Sequence, residues 1–250
     1  AYNYDLMKFQ TDFLGAVLLK WLKQGKVKIE NKTVGSILKK EEATIIMDKE
    51  EKNFDISLEL ELYEYMLKAS KDGILECKEF LWWCKNNYSK ILNWFDKVLD
   101  YENKKLETEG KLVATEKVTL KIFKSTVYQV NASMKEEAIQ MKGLKLFFKE
   151  FENMKDKEAI EVMLWEEYLM YAQIFGVADK VAKQFKKLYP DVITDYSYDE
   201  LIFINSFSHS GMASASTAKS RAESYSSGGG GFSSGGGGGG SFGGGGGGSR

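Results

Sequence analysis

The last 23 residues set the outer limit on what this chain can fold. Of its 24 glycines, 16 fall in three runs between Gly228 and Gly248. A stretch with almost no apolar side chains cannot recover the entropy lost on ordering it. The Ser- and Ala-rich segment from Ser206 onward reads the same way, so 194–250 is expected to be a mostly disordered tail, with Tyr196 to Ile204 a short docked segment. The foldable part is then about residues 1–193, long enough for one or two domains with a core of their own.

Within that part, apolar periodicity and glycine stops predict a mainly α fold with small β-hairpins. Phe13, Leu14, Val17, Leu18, Trp21 and Leu22 recur at helical spacing over Thr11 to Gln24, and Gly25 ends the run. Lys26 to Glu30 alternates as a strand, and Ala43 to Met47 is a second strand candidate. The same order returns further on. Ile56 to Ser70, Glu76 to Asn86 and Tyr88 to Glu109 read as helices, with stops at Asp72-Gly73 and Gly110. Lys111 to Thr115 and Thr126 to Val130 read as paired strands. Three helices followed by a hairpin is the order of a winged-helix domain. Two winged-helix-like units are therefore expected, a degenerate one over 1–55 and a fuller one over 56–131.

A helical subdomain over 132–193 should follow. Ser133-Met134-Lys135-Glu136 has the capping-box pattern, and Met141, Leu144, Phe148 and Phe151 give that helix one apolar stripe. Ala159 to Phe175 is apolar nearly all round, which marks a central, most buried helix. Gly176 ends it, and Val177 to Tyr189 is a last helix stopped by Pro190.

Composition excludes several chemistries from this body. Net charge is −1, without the basic excess that a general nucleic-acid or anionic-membrane binder needs. The two arginines, Arg221 and Arg250, lie in the expected tail, leaving no guanidinium fork for phosphate or carboxylate. The single histidine, His209, lies there too, which removes triads and histidine metal sites from the body. Cys77 and Cys84, seven apart, would share a helix face roughly 10 Å apart along the axis, beyond disulfide reach. They read as reduced cysteines near a core. The chain carries neither a signal peptide nor 18 consecutive apolar residues, so as given it is expected to be soluble and excised from something longer.

Four features invite a functional reading, each with a plainer alternative. The helix Tyr88 to Glu109 would be the recognition element of a DNA-binding winged helix. Lys90, Lys97, Lys104 and Lys105 are outweighed there by Asp96, Asp100, Glu102, Glu107 and Glu109, so it would repel phosphate. Lys68 to Glu79 partly mimics a calcium loop, with Asp72, Gly73, Leu75 and Glu79 in place, but Lys68 stands where the first carboxylate belongs. A helix corner capped by Asp-Gly accounts for it. Glu161, Glu166 and Glu167 could serve carboxylate chemistry or form a solvated helix edge. Trp82, Trp83, Trp94 and Phe95 suit a partner-binding surface or, more simply, core packing.

The chain resembles the C-terminal cytoplasmic region of the YciQ-like predicted bacterial membrane proteins. The carrying residues are Glu59 to Leu62, Ser70 to Glu76, Asn93-Trp94-Phe95, Glu136-Glu137-Ala138 with Gly143-Leu144-Lys145, and Trp165 to Ala172 leading into Phe175-Gly176-Val177-Ala178-Asp179-Lys180-Val181. Tyr225-Ser226-Ser227-Gly228 and the glycine blocks complete the likeness. The resemblance implies tethering on the cytoplasmic side through membrane helices upstream of this chain. It brings no activity, cofactor, metal or catalytic residue. The resulting expectation is a non-enzymatic module that contacts a protein partner. Nucleic-acid binding through the winged-helix-like unit and a carboxylate enzyme are the alternatives.

Overall fold

A computed structural model describes residues 6–34, 40–70, 72–119, 123–150, 165–188 and 198–227. The chain runs α1 (Leu6–Lys23), β1 (Val27–Val34), β2 (Lys40–Met47), α2 (Ser57–Ser70), β3 (Ile74–Leu75), α3 (Cys77–Asn86) and α4 (Tyr88–Thr108). It continues through β4 (Leu112–Thr119), β5 (Phe123–Val130), α5 (Ala132–Glu150), α6 (Trp165–Ile174), α7 (Ala178–Leu188) and α8 (Tyr198–Ser227). The fold is mainly helical with small antiparallel strand pairs, as the periodicity predicts.

The glycine stops behave as local chemistry requires. α1, α4 and α6 each end on a glycine with positive φ: Gly25 at 68°, Gly110 at 67° and Gly176 at 67°. In each, the glycine N–H reaches back three residues and the next N–H reaches back five, as in Lys26 N–H to Trp21 O at 2.9 Å. This Schellman closure needs a left-handed residue, which a Cβ disfavours. The start of α5 departs from expectation. Asn131, not Ser133, is the cap: its Oδ1 accepts the Met134 N–H at 2.8 Å. The Ser133 hydroxyl donates instead to Glu137 Oε1 at 3.3 Å.

The first hairpin pairs β1 with β2 from Val27↔Met47 to Val34↔Lys40. A two-residue strand, β3, adds to β2 through Ile45↔Leu75 and Ile46↔Ile74. The Asp72-Gly73 corner holds it there. Gly73 (φ 94°) accepts the Met47 N–H at 2.8 Å, and a Cβ on Gly73 would stand 2.9 Å from Met47 O. Ser70 Oγ accepts the Gly73 N–H at 3.1 Å, and Asp72 Oδ1 accepts that of Ile74 at 2.9 Å. The helix–strand–helix–helix–hairpin order over 57–130 is present, but β3 pairs with β2 rather than with β4–β5. The sheet thus crosses residue 55.

Behind this sheet sits an aromatic group. Trp21 meets Phe54 and Tyr63 edge-on, at 5.6 and 5.3 Å between centroids. The buried Tyr63 hydroxyl accepts the Asp48 N–H at 2.9 Å and lies 3.1 and 3.0 Å from the carbonyls of Lys26 and Asp48, to one of which it donates. It thereby ties the end of α1 to the end of β2. Glu59, also buried, accepts from Trp21 Nε1 at 3.0 Å and Lys20 Nζ at 2.7 Å. Burying a carboxylate is costly unless it is paired and hydrogen-bonded in this way.

The largest departure from expectation is α8. The segment from Ser206 to Ser227 is helical, continuous with the Tyr198 to Ile204 segment, and its first part as far as Ala215 packs into the core. Leu201, Ile204, Phe207, Ser208, Met212 and Ala215 are all buried. α8 lies against α3, α1, α4 and α7. The small residues that look like low complexity are what let it approach. A Cβ on Gly211 would fall against the Phe80 ring, 2.8 Å from Cδ1. That ring stacks on Phe207 at 4.6 Å with 9° between planes. His209 and Arg221 therefore stand on an ordered helix, not in a loose tail. Residues 228–250 lie outside the described residues. The centre of the body is α1, packed on α6 and α8. The expected central helix is described from Trp165 on, where Leu169, Ala172 and Gln173 are buried; its residues 159–164 lie outside.

Two substitutions test this packing. Gly211→Ala should lower stability by about 1–2 kcal/mol, because overpacking against Phe80 outweighs the roughly 1 kcal/mol that alanine gains in a helix. Urea melts that show equal or greater stability would mean that α8 does not sit on α3 as described. Tyr63→Phe should cost about 1–3 kcal/mol by orphaning a buried N–H. Burial pushes the Tyr63 hydroxyl up to about 12, against about 10 in an unfolded chain. Its protonated form is favoured in the fold, so its contribution is complete below about pH 10 and is lost as pH rises to about 12. The gap between parent and Tyr63→Phe melts should narrow across that window.

Candidate interaction surface

The features singled out in the sequence separate once placed. The acids of the calcium-like loop are occupied locally. Asp72 caps Ile74, and Glu79 Oε2 accepts the Glu76 N–H at 3.1 Å in a capping box that opens α3. Among the described residues no group of three or more His, Cys, Asp or Glu is placed to hold a metal ion. Cys77 and Cys84 are free thiols on α3, half-buried and buried respectively. Desolvation pushes both thiols up, Cys84 most strongly, which makes each a poor nucleophile. Glu161 and the side chain of Glu166 lie outside the description. Glu167 is exposed, 3.9 Å from Lys23.

The aromatic group splits in two. Trp83, Trp94 and Phe95 are core, and Trp94 Nε1 donates to the Leu58 carbonyl at 2.8 Å. Trp82 is 63% exposed. On α4, Lys97 is engaged by Glu61 at 2.6 Å, which removes one of the cations that a phosphate backbone would need.

The surface that stands out lies elsewhere, on β4–β5 and α5. β4 and β5 pair from Leu112↔Val130 to Thr119↔Phe123, and among the described residues neither strand has another ladder partner. Strand side chains alternate between faces. Tyr128 and Val130 sit with Leu112 on one face, Val113 and Val127 on the other. All but Leu112 are exposed, Val113 by 53%. An isolated two-stranded ribbon is marginal in water, and this one shows apolar side chains on both faces. Both outer edges carry backbone N–H and C=O groups outside any ladder.

α5 continues the same arm. Of the apolar stripe expected on it, Phe148 is buried, Leu144 half-buried and Met141 exposed, while Phe151 lies outside the described residues. Ile139, 69% exposed, and Leu146 add to the uncovered side. Phe148 anchors the end of the helix, with Tyr168 at 5.6 Å and Phe175 at 6.2 Å between centroids. The start of the arm is held by Asn131, whose N–H reaches Lys111 O and whose Nδ2 reaches Gly110 O. The arm is fixed at both ends, and between them Val113, Val127, Tyr128, Ile139 and Leu146 are exposed. Sequence reasoning missed it because an amphipathic stripe carries no label saying what will cover it.

No helix among the described residues is long and apolar enough to cross a membrane. No curated protein and no solved structure matches the chain. Residues 117–185 match the family model described as "Predicted membrane protein (DUF2207) C-terminal domain", so the stretch that holds β5, α5, α6 and most of α7 is similar to a domain of a predicted membrane protein family.

Proposed function

We propose that the chain is a non-enzymatic interaction module of a membrane-anchored protein, held on the cytoplasmic side, and that it docks a protein partner on the arm formed by β4–β5 and α5. The observation that carries the proposal is the set of exposed apolar side chains Val113, Val127, Tyr128 and Val130 on a ribbon whose strands have no further ladder partner among the described residues, continued by the exposed Ile139 and Leu146 of α5. A partner strand laid along either edge would complete the ladder, and its apolar side chains would cover Val113 or Tyr128. The family match begins inside this arm, at residue 117. The likeness to the YciQ-like proteins supports a tether upstream. Nucleic acid is the weaker reading, because the preceding helix α4 balances its lysines with as many acids and the chain as a whole has no basic excess. A carboxylate enzyme is disfavoured by the exposed, ion-paired state of Glu167.

The test is site-specific photo-crosslinking in membranes that carry the full-length protein. Probes at Val113 and Ile139 should each give a discrete protein adduct; a probe at Lys180, on the exposed side of α7, should give none. Val113→Lys combined with an Ile139 probe should abolish the adduct while the melting temperature holds. Equal adducts at all three positions, or none above background, would overturn the reading.

A further inference from the structure

Helix α3 turns one side to the core and another outward. Phe80, Trp83 and Cys84 are buried, while Lys78, Leu81, Trp82, Lys85 and Asn86 are exposed. Steps of three and four put the exposed set on one stripe. Trp82 and Leu81 stand at its centre, 63% and 39% exposed, with a lysine one turn away on either side. No acid stands on the stripe. A cleft flanks it on each side. Towards the end of α2, Trp82 and Lys78 line one with Lys68 and Glu79. Towards α8, Leu81 and Lys85 line a groove of about 700 Å³ with Tyr88, His209, Thr217 and Arg221.

The charge on this face is one-sided. The groove beside α8 is lined by Lys85, Arg221 and His209 and by no carboxylate. Among the described residues neither Lys85 nor Arg221 stands in an ion pair. Glu223, two positions beyond Arg221, is engaged by Lys219 at 3.8 Å. The other cleft holds one acid, Glu79, whose Oε2 already accepts the Glu76 N–H. Lys78 is tied to Glu76 at 2.7 Å and Lys68 to Glu64 at 3.7 Å, so those pairs add little net charge. A chain of net charge −1 is no general binder of anionic surfaces, but here the excess is local. It is also spread out. His209 and Arg221 lie about 18 Å apart along α8, so the basic groups follow a line and do not converge on one point.

We propose that this face of α3 docks on the surface of an anionic lipid bilayer. A single small anion would meet one basic group of the line, whereas a charged surface meets all of it. An indole and a leucine between cations match a lipid interface: the ring settles at headgroup level, and lysine and arginine reach the lipid phosphates. An acidic peptide answers the cations alone. The proposal rests on the upstream tether inferred above and names the face that the tether presents. His209 lines both this groove and the cleft that holds Met7 and Lys8 of α1, so the tethered end of the chain lies beside the α3 face. A tether keeps the face close to lipid, where a weak contact is sufficient.

The test is co-sedimentation of the whole chain with vesicles of equal parts phosphatidylglycerol and phosphatidylcholine, beside vesicles of phosphatidylcholine alone. At about 50 mM salt the chain should bind the anionic vesicles at least about tenfold more strongly than the neutral ones, and about 500 mM salt should release it. Trp82→Ala, and separately Lys85→Glu with Arg221→Glu, should each weaken binding by about tenfold. Both should keep the parental melting temperature, because the replaced side chains are exposed. Lys28→Glu with Lys180→Glu makes the same charge change at exposed positions on β1 and α7 and should leave binding unchanged. No binding to anionic vesicles at about 50 mM salt, equal binding to neutral ones, parental binding by Trp82→Ala, or equal loss in the two double variants would defeat the assignment. So would displacement by poly-glutamate that needs Lys85 and Arg221 but not Trp82, the mark of an acidic-peptide site. The vesicles carry no tether, so failure here leaves the tethered reading standing. A full-length protein that fractionates away from membranes would remove the tether and leave vesicle binding intact.

Discussion

The body of this protein depends on one close approach, that of α8 to α3 at Gly211. The absence of a side chain there lets Phe80 lie against the helix backbone and stack on Phe207. Ser214 then donates its hydroxyl to the Leu81 carbonyl at 3.1 Å, one turn further on. Through this seam α8 covers α3, and through Leu201, Ile204 and Ala215 it adds to the same core that holds Leu14, Leu18 and Trp21 of α1. Removing α8 would uncover α1, α3, α4 and α7 together. Helices joined by small residues gain from dispersion at short range more than from large buried areas, and they tolerate little change in shape.

The sequence was most legible where the determinants are local. A left-handed glycine after an apolar helical run marks a stop, and Gly25, Gly110 and Gly176 mark theirs because Schellman hydrogen bonds involve only a few neighbouring residues. The Asp72-Gly73 corner is local in the same sense. α8 was illegible by composition, since serine and alanine suggest a segment without a core. It carries a legible signal all the same. Positions Leu201, Ile204, Ser208, Gly211, Ala215 and Ala218 follow one another in steps of three and four. That is a helical seam written in small side chains. β3 was missed because two residues have no periodicity, and its partner strand lies some thirty positions away. The cleft beside Gly176, lined from α1, α6, α7 and α8, could not be read at all. Thr11, Gln173 and Asp179 sit on three different helices, and nothing in their separation along the chain joins them.

Two regions are left unsatisfied in different ways. Where α6 packs on α1 the deficit is in hydrogen bonding: Thr11 Oγ1 and Gln173 Oε1 are buried without donors. Along the arm the deficit is in burial. β4–β5 satisfies its inner ladder, yet Val113, Val127 and Tyr128 are exposed and neither strand has another ladder partner among the described residues.

The position of α8 in the chain also has a temporal consequence. Helix α1 is made well before α8, the helix that covers it. Synthesis runs at about 5–20 residues per second, so α1 waits roughly ten to forty seconds for its cover. During that interval the Phe80 face of α3 and much of α1 are open to water. A nascent chain of this design exposes its stickiest surfaces throughout that interval, so chaperone capture on the ribosome should matter more to its yield than the speed of any single folding step.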